Sequence, residues 1–200
     1  MTQRAPHETP TPGPAADFAA TLAGQLPVIE TERLRLRAPR LTDFDAWAEV
    51  LCGPTGPWLD GPFTRDEAFV EFLASCGTWL VRGHGVWVVE PKAGDEVLGF
   101  VLLNMEPGDR EVELGYLFRP IGEGRGYASE AASALRDHAF TRLAMTQLVS
   151  YVAVENAPSS RLAARLGAVC EGVEDGTEIW VHRPASTPET HPLPTPKRGA

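Results

Sequence analysis

The segment Gly122-Glu123-Gly124-Arg125-Gly126-Tyr127-Ala128 places glycines where a predicted strand gives way to a predicted helix. Glycine lets a backbone approach a ligand closely, and the first-turn amides of Arg125 to Ala128 would face outward with no partner inside the helix. Together with the helix dipole those amides suit a phosphate, although a plain glycine-rich turn has the same composition, and spacing alone leaves both readings open. Two phosphate-binding patterns are excluded. Gly124-x-Gly126-x-x-Ser129 lacks the third glycine of a dinucleotide fingerprint, and no Gly-Lys-Ser/Thr follows, as a nucleoside triphosphate loop requires.

Asn156-Ala157-Pro158-Ser159 follows a predicted strand and opens a helix, with Pro158 in the first turn, where its missing N–H costs least. Asn156 or Ser159 serves there as a cap. Glu111 and Glu113 share one face of a strand by its period of two; each is a solvated carboxylate or a proton acceptor. His84 and His138 have no partner at ligand spacing, and Cys52, Cys76 and Cys170 are far apart with no Cys-x-x-Cys. The expectation is therefore no metal and packed, reduced thiols. No cysteine and no Ser–His pair argues for a covalent intermediate.

These residues need a scaffold, and the composition supplies one. The chain has 200 residues, 43% hydrophobic and 22% charged, enough for one domain with a full core. A net charge of −9 without a basic block argues against nucleic acid. No apolar run approaches a membrane span and no signal peptide opens the chain, so a cytoplasmic protein without membrane attachment is expected. Proline crowds residues 1–28 and 184–200, which read as disordered tails with a helical turn open to Ala15 to Ala23, and leaves 29–183 as the folded domain. Within it, Arg33 to Arg37 alternates as a strand with an exposed face. A helix follows Thr42, and Thr64-Arg65-Asp66-Glu67 is a capping box that opens another. Val86 to Glu90 and Val97 to Leu103 flank Ala93-Gly94-Asp95 as a hairpin, and Glu111 to Phe118 is the next strand. Tyr127 to Phe140 is a helix, Leu148 to Val154 a strand, Pro158 to Leu166 a helix, with short strands near Val169 and Ile179. The order is βααβββαβαββ.

Phe118-Arg119-Pro120-x-x-Glu123-Gly124-Arg125-Gly126-Tyr127-Ala128-Ser129-Glu130-Ala131 resembles the acyl-CoA signature of the GNAT acetyltransferase superfamily. Its nearest likeness is to the ribosomal-protein-alanine-acetyltransferase-like branch. The likeness extends from Thr31-Glu32-Arg33-Leu34-Arg35-Leu36-Arg37 through Glu113-Leu114-Gly115-Tyr116 to Asn156-Ala157-Pro158-Ser159 and Leu166-Gly167. Glu123 departs from it, standing where the family has Arg or Gln. A carboxylate repels a pyrophosphate, so Glu123 is expected to turn away and Arg125 to compensate.

The resemblance implies a single α/β (α+β) domain with a mixed, mostly antiparallel sheet of about seven strands and helices on both faces. It also implies a splayed pair, Glu111 to Phe118 and Leu148 to Val154, holding acetyl-CoA. Amides of Leu117, Phe118 and Arg119 would meet the pantetheine arm, one of them polarising the thioester carbonyl, while Gly124, Arg125, Gly126, Tyr127 and Ala128 hold the pyrophosphate. Asn156 would contact the arm and Ser159 the sulfur, with Ser159 as proton donor because the family's tyrosine is replaced by Ala163-Ala164-Arg165-Leu166. Glu113 is the implied base; Glu111 and Glu178 are further carboxylates for the acceptor, and Trp58 lies in the loop where relatives build the acceptor cleft. The implied activity is direct acetyl transfer to a primary amine of a small molecule or a protein N-terminus by a monomer or homodimer. The alternative is a non-catalytic acyl-CoA-binding sensor or interaction module.

Overall fold

The computed structural model describes residues 4–59 and 61–184. Helix α1 (Pro14–Ala23) precedes strands β1 (Ile29–Glu30) and β2 (Leu34–Arg37), then helices α2 (Phe44–Leu51) and α3 (Arg65–Arg82). Strands β3 (Val86–Pro91), β4 (Gly99–Asn104) and β5 (Glu113–Phe118) lead to α4 (Tyr127–Thr141), β6 (Leu148–Ala153), α5 (Ala157–Arg165), β7 (Val169–Glu174) and β8 (Thr177–His182). One sheet of eight strands runs β1-β2-β3-β4-β5-β6-β8-β7, antiparallel at every junction except β5–β6. The eighth strand is β1, a two-residue segment whose pairing of Ile29 with Leu36 lies below any periodicity signal.

Alternation along the central strands sorts the core into two layers. Val86, Val88, Phe100, Leu102 and Leu117 pack under α2 and α3 with Phe44, Trp47 and Phe72, while Trp87, Val89, Val101, Leu103 and Leu114 pack with Ala131, Leu135 and Leu162 of α4 and α5. Helix α3 starts at the expected capping box: Thr64 Oγ1 accepts from Glu67 N, and the Glu67 carboxylate accepts from Thr64 N at 2.8 Å. It ends at Gly83, which is left-handed.

Two expectations are corrected. Strand β2 keeps its exposed face at Arg35, but Arg37 is buried: it donates to both oxygens of Asp43 at 2.8 and 2.9 Å and to Glu90 at 2.7 Å. Burial opposes its charge, but the two carboxylates outweigh that cost and raise its pKa, keeping the guanidinium charged. The amino-terminal segment from residue 4 to 28, read as a disordered tail with at most a helical turn at Ala15 to Ala23, carries a full helix α1 there and an anchored turn at Pro6–Glu8. Glu8, only 4% exposed, receives two bonds from Arg65 at 2.7 and 2.9 Å, Arg4 pairs with Asp45, and His7 meets Phe69 edge-on. A paired, buried carboxylate anchors the segment where apolar area would not. The carboxy-terminal tail from residue 185 lies outside the described residues.

Candidate active site

Among the described residues the sheet has one parallel junction, and there the ladder fails. Strands β5 and β6 pair only at Glu113 with Val149, where Val149 N donates to Val112 O at 3.0 Å. Beyond that point the strands diverge into a cleft of about 1060 Å³. The alternation of the β4–β5 ladder settles which amides face it: Arg119 N donates to Leu98 O, so Leu117 and Arg119 turn towards β4, whereas Phe118 and Tyr116 turn towards β6. Arg119 is thereby corrected as an amide contact. Its side chain is also engaged, with Glu49 at 2.7 Å and Val97 O at 2.6 Å. Leu117 reaches the cleft through its side chain's face of the strand rather than its N–H.

The cleft runs to the start of α4. Gly124 and Gly126 are left-handed (φ 71° and 76°), a conformation that costs an L side chain about 1–2 kcal/mol. Gly126 caps α4 without a side chain, and the first intrahelical bond is from Glu130 N to Gly126 O, so the amides of Tyr127, Ala128 and Ser129 point out of the helix end. Glu130 fixes this turn to the β1–β2 connection: its carboxylate accepts from Thr31 Oγ1 at 2.6 Å, Arg33 N at 2.9 Å and Arg33 Nε at 2.6 Å. Burial alone would raise the Glu130 pKa; these donors overcome it and lower it. Arg33 also lies over the Tyr127 ring at 4.7 Å and donates to Arg125 O, which leaves Arg125 exposed and off the cleft wall. Glu123, exposed, is among the residues of that wall.

On the opposite bank Asn156 caps α5, its side chain accepting from Ser159 N at 3.3 Å. Ser159 O accepts from the Tyr116 hydroxyl at 3.1 Å, a bond that spans the splay. Asn156 and Ser159 line the cleft, as do Gly124, Gly126, Tyr127, Ala128, Phe118, Glu113 and Trp58. Trp58, 41% exposed in the turn Gly56–Leu59, stands on the α2–α3 side with Phe63.

Of the three carboxylates singled out from sequence, only Glu113 lies on the cleft. It opposes Asn104 on β4, and its side chain shares the strand face of Leu117, towards α2 and α3. Burial, with the Glu113 charge second, raises the pKa of the Tyr116 phenol. Glu111 precedes β5 and is exposed outside the cleft. Glu178 is corrected too: Thr177 and Ile179 line the cleft, so the residue between them faces the other way and accepts from Ser160 Oγ and Trp180 Nε1, both at 2.7 Å. Those donors lower its pKa and make it a poor base. Sequence reasoning missed Glu71, Glu106, Asp109, Glu155 and Glu174 on the wall, against Arg165 as cation. They come from helix α3, the β4–β5 loop, the β6–α5 turn and strand β7, and only Glu106 and Asp109 are neighbours in sequence. It also missed a buried Ser–His pair, Ser150 and His182, 3.0 Å apart.

A family model described as an acetyltransferase (GNAT) domain matches residues 33–169. The chain belongs to the GNAT acetyltransferase family. This GNAT chain is 30% identical over 159 residues to a Bacillus subtilis protein described as the uncharacterized N-acetyltransferase YnaD, covering 76% of the chain and 91% of that protein. An Agrobacterium tumefaciens acetyltransferase structure is 32% identical with a TM-score of 0.76, covering 80% of this chain and 96% of that one. A Vibrio cholerae structure described as a putative ribosomal-protein-serine acetyltransferase shares the fold at 24% identity and a TM-score of 0.64, over 78% and 97% of the two chains. The GNAT chain is accordingly an acyltransferase of the N-acetyltransferase kind. Among its described residues no helix is long and apolar enough to cross a membrane.

Proposed function

We propose that the cleft takes acetyl-CoA and that the chain transfers the acetyl group directly to a primary amine. The observation that carries this reading is the continuity of the β5–β6 opening with the uncapped amino-terminal end of α4. A pantetheine-like arm fits an opening that offers free strand amides, and a pyrophosphate fits three outward helix amides. The thioester supplies an activated acyl group; the remaining work falls to the chain.

Phe118 N–H faces the opening and serves as the donor to a carbonyl oxygen gaining negative charge. Glu113 accepts the proton that an ammonium must lose before its nitrogen can attack, directly or through water. Ser159 supplies a proton to the departing thiolate, a modest contribution because a thiolate leaves readily. Trp58 forms a wall for the acceptor. The carboxylates along the cleft favour a cationic acceptor, either a small amine or a protein N-terminus.

Glu123 on the wall favours a second reading, an acyl-CoA sensor without turnover, because its charge weakens pyrophosphate binding. Release of free thiol from acetyl-CoA separates the two. The enzyme reading expects slow release alone, stimulation by primary amines, and loss of the stimulated rate in Glu113→Gln with CoA still bound. Undiminished stimulation in that variant removes Glu113 as base, and binding without any release under amines supports the sensor.

A further inference from the structure

The parallel register of β5 and β6 fixes what the next bond would be if the strands stayed together. With Val149 N donating to Val112 O, the following rung brings Tyr151 N–H onto Leu114 O. No Gly115–Tyr151 pair continues the ladder. Leu114 O accepts from the Ser150 hydroxyl at 2.7 Å. A side chain of β6 thus donates to the carbonyl that the backbone of β6 would meet in the next rung, at the residue where the opening begins.

Ser150 is itself held. It is 2% exposed, and its oxygen lies 3.0 Å from Nε2 of His182, which is 1% exposed on β8. The hydroxyl has one hydrogen and directs it to Leu114 O, so His182 Nε2 is the donor in the second contact. His182 is therefore the Nε2–H tautomer, and its Nδ1, which has no hydrogen-bond partner, is the bare lone pair. The chain of bonds runs one way, from His182 to Ser150 to Leu114 O, and it fixes the hydroxyl rotor. Tyr116 to Ser159 O makes the second side-chain bridge across the same opening.

Building on the acyl-CoA reading, we infer that Ser150, oriented by His182, is a positioning residue that ends the β5–β6 ladder and thereby keeps the acyl-CoA opening from closing. Without its hydroxyl, buried Leu114 O loses that donor, and the donor that the register brings to it is Tyr151 N–H. Satisfying it extends the ladder by one rung and narrows the entrance for the arm. Ser150 lies on the wall of the opening and is none of the proposed oxyanion donor, base or acid, so its effect falls on cofactor binding.

The test compares full-length wild type with Ser150→Ala and Ser150→Cys, the latter nearly isosteric but a weak donor. Amide hydrogen exchange is followed in the ligand-free protein by NMR, and KM and kcat are measured with acetyl-CoA as the varied substrate. The expected result is Tyr151 amide protection raised about tenfold in both variants and KM for acetyl-CoA raised about tenfold, with kcat changed less than about twofold. Unchanged Tyr151 exchange overturns the proposal, as does a fall in kcat at constant KM. Should wild type fail to bind acetyl-CoA, the cofactor reading falls by itself, and Tyr151 exchange still decides the part played by Ser150.

Discussion

Removing the Glu130 carboxylate tests whether the turn that opens α4 is held from outside the helix. Two of its three bonds, from Thr31 Oγ1 and Arg33 N, fall on a single oxygen, and the third comes from the Arg33 guanidinium to the other. Gln at this position retains an oxygen for the first two donors and loses the ion pair. Because the Arg33 side chain is 45% exposed, that pair is screened and contributes no more than about 1 kcal/mol. Glu130→Ala loses all three bonds, at about 1 kcal/mol each a cost of about 2–3 kcal/mol, and leaves the Thr31 hydroxyl its 3.3 Å bond to Leu34 O and the exposed Arg33 amide to water. Urea unfolding at pH 7 reads both variants, and the expected order is wild type, Gln, then Ala, with the larger step between Gln and Ala. The pH dependence has a definite sign. Its folded pKa lies below the ordinary 4.5, so the carboxylate's contribution is complete above that value and disappears as pH falls through the folded pKa. Equal losses in Gln and Ala, or a loss in Ala below about 0.5 kcal/mol, would refute the reasoning.

Arg37→Met leaves Asp43 and Glu90 buried without their shared cation, and chemical denaturation should show a loss of about 3–5 kcal/mol. Glu113→Gln should lower kcat by about 10²–10⁴ in amine-dependent acetyl transfer. Glu178→Gln, on the far face of β8, should leave that rate unchanged in the same assay. Burial, with Arg136 second, pushes His182 down to about 4 from 6.5. Its ring should therefore stay neutral at pH 5.5 by NMR, and its contribution to stability should be complete above about 6.5 and decline as pH falls towards 4.

Local signals were read from the sequence where they act locally. The Thr64–Glu67 box, the β3–β4 hairpin and the glycine turn before α4 each occupy a few consecutive residues, and each has its physical cause within that span. What escaped depends on distant partners. Glu8 orders the amino-terminal segment through Arg65, 57 positions away, and Ser150 finds His182 after 32. Facing was the other gap. Arg119 and Glu178 carry suitable chemistry, but ladder register turns the amide of one to β4 and the side chain of the other to α5. Register is a property of paired strands, and a single strand's alternation does not say which neighbour receives which amide.

Thermal unfolding with and without acetyl-CoA tests the central claim most directly, since a ligand of the folded state alone raises the midpoint according to its occupancy. At a hundredfold excess over Kd the stabilisation is about 2.7 kcal/mol, a rise of roughly 5–10 °C for a domain of this size. The account predicts that rise for acetyl-CoA and CoA, and its reduction in Gly126→Glu, which puts a carboxylate at the amide end of α4. An unchanged midpoint at millimolar acetyl-CoA would contradict it.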